Sequence, residues 1–198
     1  MTGPSRTNSP EPTVVFVPGL RDHVADHWQT LLAAELDRSR TVAPLEHDRL
    51  SLPARVAALN RVLTEVTGPV VLVAHSAGVM ITVHWARQHG RAIAGALLAT
   101  PPDLATPLPD GYPTPDELDR NGWFPIPADP LPFPSIVAAS TNDPLAGYDR
   151  VAAMARDWGS RLVDIGPAGH LNPASGHGPW PQAHHLLTLL TQPSPAFR

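Results

Sequence analysis

Six short apolar runs punctuate this chain, at residues 14–17, 41–45, 70–73, 92–99, 135–139 and 162–165, and helix-period segments separate most of them. The run at 41–45 is the weakest. Near-continuous apolar strands, rather than alternating ones, are the pattern of a sheet covered on both faces. Strand–helix alternation adds that the strands are parallel and joined by right-handed crossovers, which predicts a three-layer α/β sandwich around a mostly parallel six-stranded sheet. A chain of 198 residues is expected to form one domain.

The segments between the runs carry helix signals. Asp26 is positioned to cap a first helix, with Gln29 three residues on as in a capping box, and Trp28, Leu31, Leu32 and Leu36 as its apolar face. Ser51 and Pro53 open a second helix, faced by Val56, Leu59, Leu63 and Val66 and stopped by Gly68. Residues 77–89 are apolar nearly all round, as in a helix buried against a sheet centre. Val151, Met154, Ala155 and Trp158 share a face of a helix ending at Gly159, and residues 180–190 form the last helix. Residues 101–134 break the pattern: prolines are dense and no apolar period holds. A segment of this kind is either a lid or binding loop, or a rigid surface wrap. The expected organisation is a disordered tail at 1–12, a single domain at 13–192 and a second tail at 193–198.

Two absences narrow the chemistry. The chain has no cysteine, which removes disulfides, thiolate metal sites and a cysteine nucleophile. All 14 basic residues are arginine, so a lysine Schiff base, a Walker-type phosphate loop and a serine–lysine dyad are excluded. With a net charge of −4 and no basic run, a nucleic-acid surface is not expected. The first twelve residues lack the apolar region of a secretory signal, and no stretch reaches the ~20 apolar residues of a membrane span, so a cytoplasmic location is expected. Oligomeric state is left open.

The order strand, sharp turn, helix recurs at Ala74-His75-Ser76-Ala77-Gly78, directly after the third apolar run. Such a turn lifts a serine oxygen clear of the sheet, which makes Ser76 the candidate nucleophile. Serine needs an adjacent base near neutral pH. His170, in the loop after the sixth run, lies on the sheet edge that carries Ser76, and Asp143, in the loop after the fifth, is placed to hold its imidazole. The chain order Ser, Asp, His is that of α/β-hydrolases. The backbone N–H groups of Ala77 and of Leu20, in the loop after the first run, are the candidate oxyanion donors.

Each of these assignments has a rival. His177 is an alternative base, Asp103 an alternative acid, and His23 with His27 have a metal-ligand spacing but no intervening glutamate of a metalloprotease. His75 reads as a neighbour packed at the turn, His184 and His185 as surface or packing residues, and Asp164 as structural. Pocket shape is expected to depend on Trp123, Phe124, Leu131 and Phe133. A binding protein on a catalytically silent hydrolase fold, and a metal-dependent hydrolase, are the competing functional readings.

Taken together, several strings resemble the small single-domain serine hydrolases typified by retinoblastoma-binding protein nine and its bacterial relatives. They are Val17-Pro18-Gly19 with Asp26-His27-Trp28-Gln29, His75-Ser76-Ala77-Gly78, Leu131-Pro132-Phe133-Pro134-Ser135, Ser140 to Asp143, Gly169-His170-Leu171-Asn172, Ser175-Gly176 and Gly178-Pro179-Trp180-Pro181. The first glycine of the family's serine turn is Ala74 here. The resemblance implies a compact α/β-hydrolase fold with strand order 2-1-3-4-5-6 and a Ser76–Asp143–His170 triad. It also implies hydrolysis of small esters or amides, esters before peptides, with no cofactor and no metal. It does not extend to retinoblastoma binding, whose Leu-x-Cys-x-Glu string a cysteine-free chain cannot carry.

Overall fold

Apolar strands need cover on both faces, and the computed structural model, which describes residues 11–22 and 24–191, supplies it. The expected tails at 1–12 and 193–198 lie almost wholly outside those residues. Six parallel strands, β1 (Thr13–Val17), β2 (Ser39–Thr41), β3 (Val70–His75), β4 (Gly95–Ala99), β5 (Ser135–Ala139) and β6 (Arg161–Asp164), form one sheet in the order β2-β1-β3-β4-β5-β6. The order is the expected one.

Alternate side chains of each strand enter two separate cores. Val15, Val17, Leu72, Ala74, Leu98 and Val137 face α2 (Leu52–Glu65), α3 (Ala77–Gln88) and α5 (Tyr148–Asp157). Phe16, Val71, Val73, Leu97 and Ala138 face α1 (Trp28–Glu35) and α6 (Gln182–Thr191). All five residues of β1, β4 and β5 and all six of β3 are buried. Each such Val or Leu contributes roughly 1.5–3 kcal/mol on leaving water. The edge strands β2 and β6 are partly exposed.

Most element boundaries fall within a few residues of the sequence expectation, and three differences have physical causes. The second strand is Ser39–Thr41 rather than 41–45, because Pro44 has no N–H to give a ladder; the Val42 N–H to Phe16 carbonyl bond, 3.0 Å, is the last link. Helix α1 is capped by His27, not Asp26. The His27 Nδ1 accepts the Gln29 N–H at 3.2 Å, and Asp26 is exposed. Gln29 makes no capping box but turns inward, donating to the carbonyls of Val73 at 2.9 Å and Val17 at 3.4 Å, and so ties α1 to β1 and β3.

The proline-rich segment contains a helix that was not expected, α4 (Pro115–Arg120), opened by a Thr114–Glu117 capping box with Pro115 in the first turn. Its Leu118 and the following Trp123 are fully buried, and Trp123 Nε1 donates to the Leu50 carbonyl at 2.7 Å. Residues 114–134 thus pack over the α2–α3 side, whereas 102–112 run along the carboxyl edge of the sheet, where the site lies.

Candidate active site

Ser76 occupies a backbone conformation that only a tightly determined turn sustains, with φ 57° and ψ −129°. Such a non-glycine residue costs of order 1–3 kcal/mol. Two fixtures hold it: the Ser76 N–H bonds to the Ala99 carbonyl at 3.0 Å, and the start of α3 is pressed against the end of β1. A Cβ on Gly78 would fall 2.1 Å from the Val17 carbonyl oxygen, so no other residue fits there. Ala74, two residues before the serine, is fully buried in β3.

His170 reaches Ser76 from the loop after β6. Its Nε2 lies 2.8 Å from Ser76 Oγ, and its Nδ1 lies 2.9 and 3.0 Å from the two oxygens of Asp143. A carboxylate can only accept, so Nδ1 carries the proton and Nε2 presents its lone pair to the serine hydroxyl. The Asp143 side chain is 1% exposed and also accepts the Leu145 N–H at 2.8 Å. The three side chains expected to meet are therefore joined in one hydrogen-bonded chain.

The His170 loop is clamped on every side. Its own N–H donates to Ser175 Oγ at 3.0 Å, whose hydroxyl donates to Asn172 Oδ1 at 2.9 Å. The His75 Nε2–H donates to the His170 carbonyl at 2.9 Å. Gly169 N–H donates to Asn142 Oδ1 at 2.6 Å, and Ala168 N–H to Ser140 Oγ at 3.1 Å. Gly169 has φ 55°, and a Cβ there would fall 2.6 Å from Ser175 Oγ, the atom that holds the next residue. Ser140, Asn142, Asn172 and Ser175 lie in the strings that carried the resemblance, but their roles depend on pairings between loops and were not read from the sequence.

Behind His170 two further imidazoles are packed. The His75 ring centroid is 5.0 Å from that of His170 and 4.5 Å from that of His27. Burial, reinforced by the neighbouring His170, lowers the pKa of His27 to about 4; burial, with His170 and His27 adding to it, pushes His75 well below the usual histidine range. Both rings are thus neutral near pH 7. His75 is the packed neighbour expected, and His27 is a helix cap beside Trp28 rather than a ligand. His23 lies outside the described residues. Among the described residues no three His, Asp or Glu side chains are grouped to hold a metal ion.

The rival assignments find other roles. Asp103 pairs with Arg150 at 3.2 Å and accepts from Ala105 N–H, and it joins no histidine. The structure bonds His170, not His177, to Ser76. His184 pairs with Glu35 on the surface, His185 is exposed, and Asp164 accepts the Gly166 N–H at the end of β6.

Leu20 and Ala77 line a cavity of about 140 Å³ in front of Ser76. The rest of its wall corrects one expectation. Trp123, Phe124, Leu131 and Phe133 pack with the α2–α3–α5 core, and the cavity is instead shaped by Val24, Leu104, Leu108, Tyr112 and Leu145. The aromatic residues of 123–133 looked like pocket material because of their type; they serve to pin the segment down.

The serine hydrolase family profile matches residues 14–189. The chain belongs to that family. This serine hydrolase is 32% identical to a YdeN-like hydrolase from Pectobacterium atrosepticum, over 91% of each chain and with a TM-score of 0.77. It is 18% identical to the YdeN gene product from B. subtilis, over 91% of this chain and 98% of that one, with a TM-score of 0.70. A thermophilic esterase from Thermogutta terrifontis is also 18% identical, over 93% and 92% of the two chains, with a TM-score of 0.61. The last two share the fold. No curated protein matches the chain. No helix among the described residues is long and apolar enough to cross a membrane.

Proposed function

We propose that this hydrolase cleaves small carboxylic esters, and small amides more slowly, through an acyl-enzyme on Ser76. The observation that carries the reading is the continuous bond path from Ser76 Oγ through His170 to a buried Asp143. His170 Nε2 takes the Ser76 proton as Oγ adds to the ester carbonyl, and Asp143 orients the ring and balances the imidazolium that forms. The tetrahedral oxyanion is held by the backbone N–H groups of Leu20 and Ala77, the latter at the N-terminus of α3, where the helix dipole favours negative charge. His170 then returns the proton to the departing alcohol. Water, deprotonated by the same imidazole, releases the acid and restores Ser76. An alcohol leaves more readily than an amine, which is why esters are placed first.

The test is labelling with a fluorophosphonate probe and peptide mapping. One covalent adduct is expected, on Ser76, lost in Ser76→Ala together with several powers of ten in kcat for p-nitrophenyl ester hydrolysis. Chelator is expected to leave the rate unchanged. Undiminished labelling or turnover in folded Ser76→Ala refutes the assignment of the nucleophile, and folded wild-type protein that neither labels nor turns over any small ester is a binding protein on this fold.

A further inference from the structure

The loop after β1 lies directly against Ser76: a Cβ on Gly19 would stand 3.1 Å from the serine Cβ. Leu20, proposed above as an oxyanion donor, comes next, and Arg21 follows it. Arg21 lines the cavity in front of Ser76, and so does Tyr112, from the segment that runs along the carboxyl edge of the sheet. The guanidinium carbon of Arg21 stands 5.5 Å from the centre of the Tyr112 ring, within the range of a cation–π contact. Tyr112 is half-buried, and its segment is anchored where the Asp103 N–H donates to the Leu145 carbonyl at 2.9 Å. The ring thus holds the guanidinium at the cavity wall.

No carboxylate side chain of the protein answers this charge. All 18 Asp and Glu residues are among the described residues, and none forms an ion pair with Arg21. A ring face attracts a cation but occupies none of its N–H donors, and the Arg21 side chain donates no hydrogen bond to the described residues. The other ionisable groups of the wall are accounted for. Asp22 is bound to the Arg55 guanidinium at 3.0 Å, His27 and His75 are neutral near pH 7, and His170 is engaged by Ser76 and Asp143. Arg21 is left as the uncompensated charge of a wall that is otherwise largely Leu20, Leu104, Leu108 and Leu145.

Resting on the esterase reading above, we infer that the substrate is an ester that carries a carboxylate, and that Arg21 is the specificity-determining residue that receives it. The planar guanidinium matches a carboxylate in shape as well as charge. One guanidinium answers the single charge of a carboxylate, whereas a phosphate dianion would keep half its charge unanswered. The net charge of −4 repels any anion at long range, so a preference for one must come from a local contact.

The experiment is kcat/KM in matched pairs. Mono-p-nitrophenyl adipate against its methyl ester puts the carboxylate on the acyl side, and 4-butyryloxyphenylacetate against its methyl ester puts it on the alcohol side. Release of the phenol is followed above the enzyme-free rate. In wild type the anion is expected to lead by about fivefold in one of the pairs, the upper value for an ion pair open to solvent, and that pair identifies the side that bears the carboxylate. The lead is expected to shrink as salt rises from about 0.01 to 1 M, because screening weakens the contact; relief of the long-range repulsion alone would make it grow. The lead is expected to vanish in Arg21→Gln that labels with fluorophosphonate at Ser76, and Arg21→Lys, which keeps the charge, is expected to restore part of it. No lead in either pair, a lead that grows with salt, or an undiminished lead in labelled Arg21→Gln overturns the assignment while leaving the esterase reading intact. The salt series is read on wild type, so a variant that fails to fold leaves the test standing. Absence of Ser76 labelling and of all ester turnover in folded wild type overturns both readings.

Discussion

Two neutral imidazoles buried beside His170 make a quantitative demand on acid stability. In the unfolded chain His27 and His75 titrate near 6.5, but burial lowers the native pKa of His27 to about 4 and that of His75 well below the usual range. Below pH 6.5 the unfolded state therefore binds protons that the native state refuses. The stability from keeping these rings neutral is complete above pH 6.5 and is lost as pH falls toward the native values. At pH 5 the difference amounts to about 2 kcal/mol for His27, out of a total that for most domains is only 5–15 kcal/mol, and His75 adds in the same direction. His84, lowered chiefly by burial, adds in the same direction. His27→Asn isolates one contribution, because asparagine retains an acceptor for the Gln29 N–H that His27 caps, and does not titrate. The assay is the urea unfolding free energy at pH 7.5, 6 and 5 for wild type and variant. The wild type is expected to lose more than about 2 kcal/mol across that range and His27→Asn about 2 kcal/mol less than the wild type. Equal losses in the two proteins would refute the claim that His27 is held neutral by its surroundings.

Two substitutions separate scaffold from site. Gly78→Ala places a methyl 2.1 Å from the Val17 carbonyl and forces β1 and α3 apart; a loss of about 2–4 kcal/mol in chemical denaturation, with a fall in kcat from the displaced Ser76, is expected. Trp123→Phe removes the bond to the Leu50 carbonyl and part of a fully buried ring, and is expected to cost about 1–3 kcal/mol in chemical denaturation while leaving fluorophosphonate labelling of Ser76 unaltered, because Trp123 is outside the cavity.

The chain's pattern was sufficient for the sheet because the physics there is nearly one-dimensional. Short apolar runs bounded by turn signals and separated by helix-period segments read as the strands of a covered sheet, and parallel strands impose crossover helices. Sequence order then put the loops bearing Ser76, Asp143 and His170 on one edge, so the candidate site was legible as three addresses. Local caps were legible where the signal was local, as at Ser51. They were misread at Asp26 and His27, where Gln29 had two carbonyls from β1 and β3 to satisfy, and α4 was passed over although Thr114 and Glu117 spell its start.

What composition and spacing could determine was a parallel sheet, its crossover helices and the chemical identity of three side chains at its rim. What only the folded molecule decided was which of the chain's many apolar residues face Ser76. Leu104, Leu108 and Leu145 do, and Trp123 and Phe133 do not, although nothing in their types distinguishes them. The reason is that a strand's direction follows from its own periodicity, whereas a pocket wall depends on pairings between distant loops. The Asp103–Leu145 and Gly169–Asn142 bonds are such pairings, and their energies exist only after the chain has closed on itself.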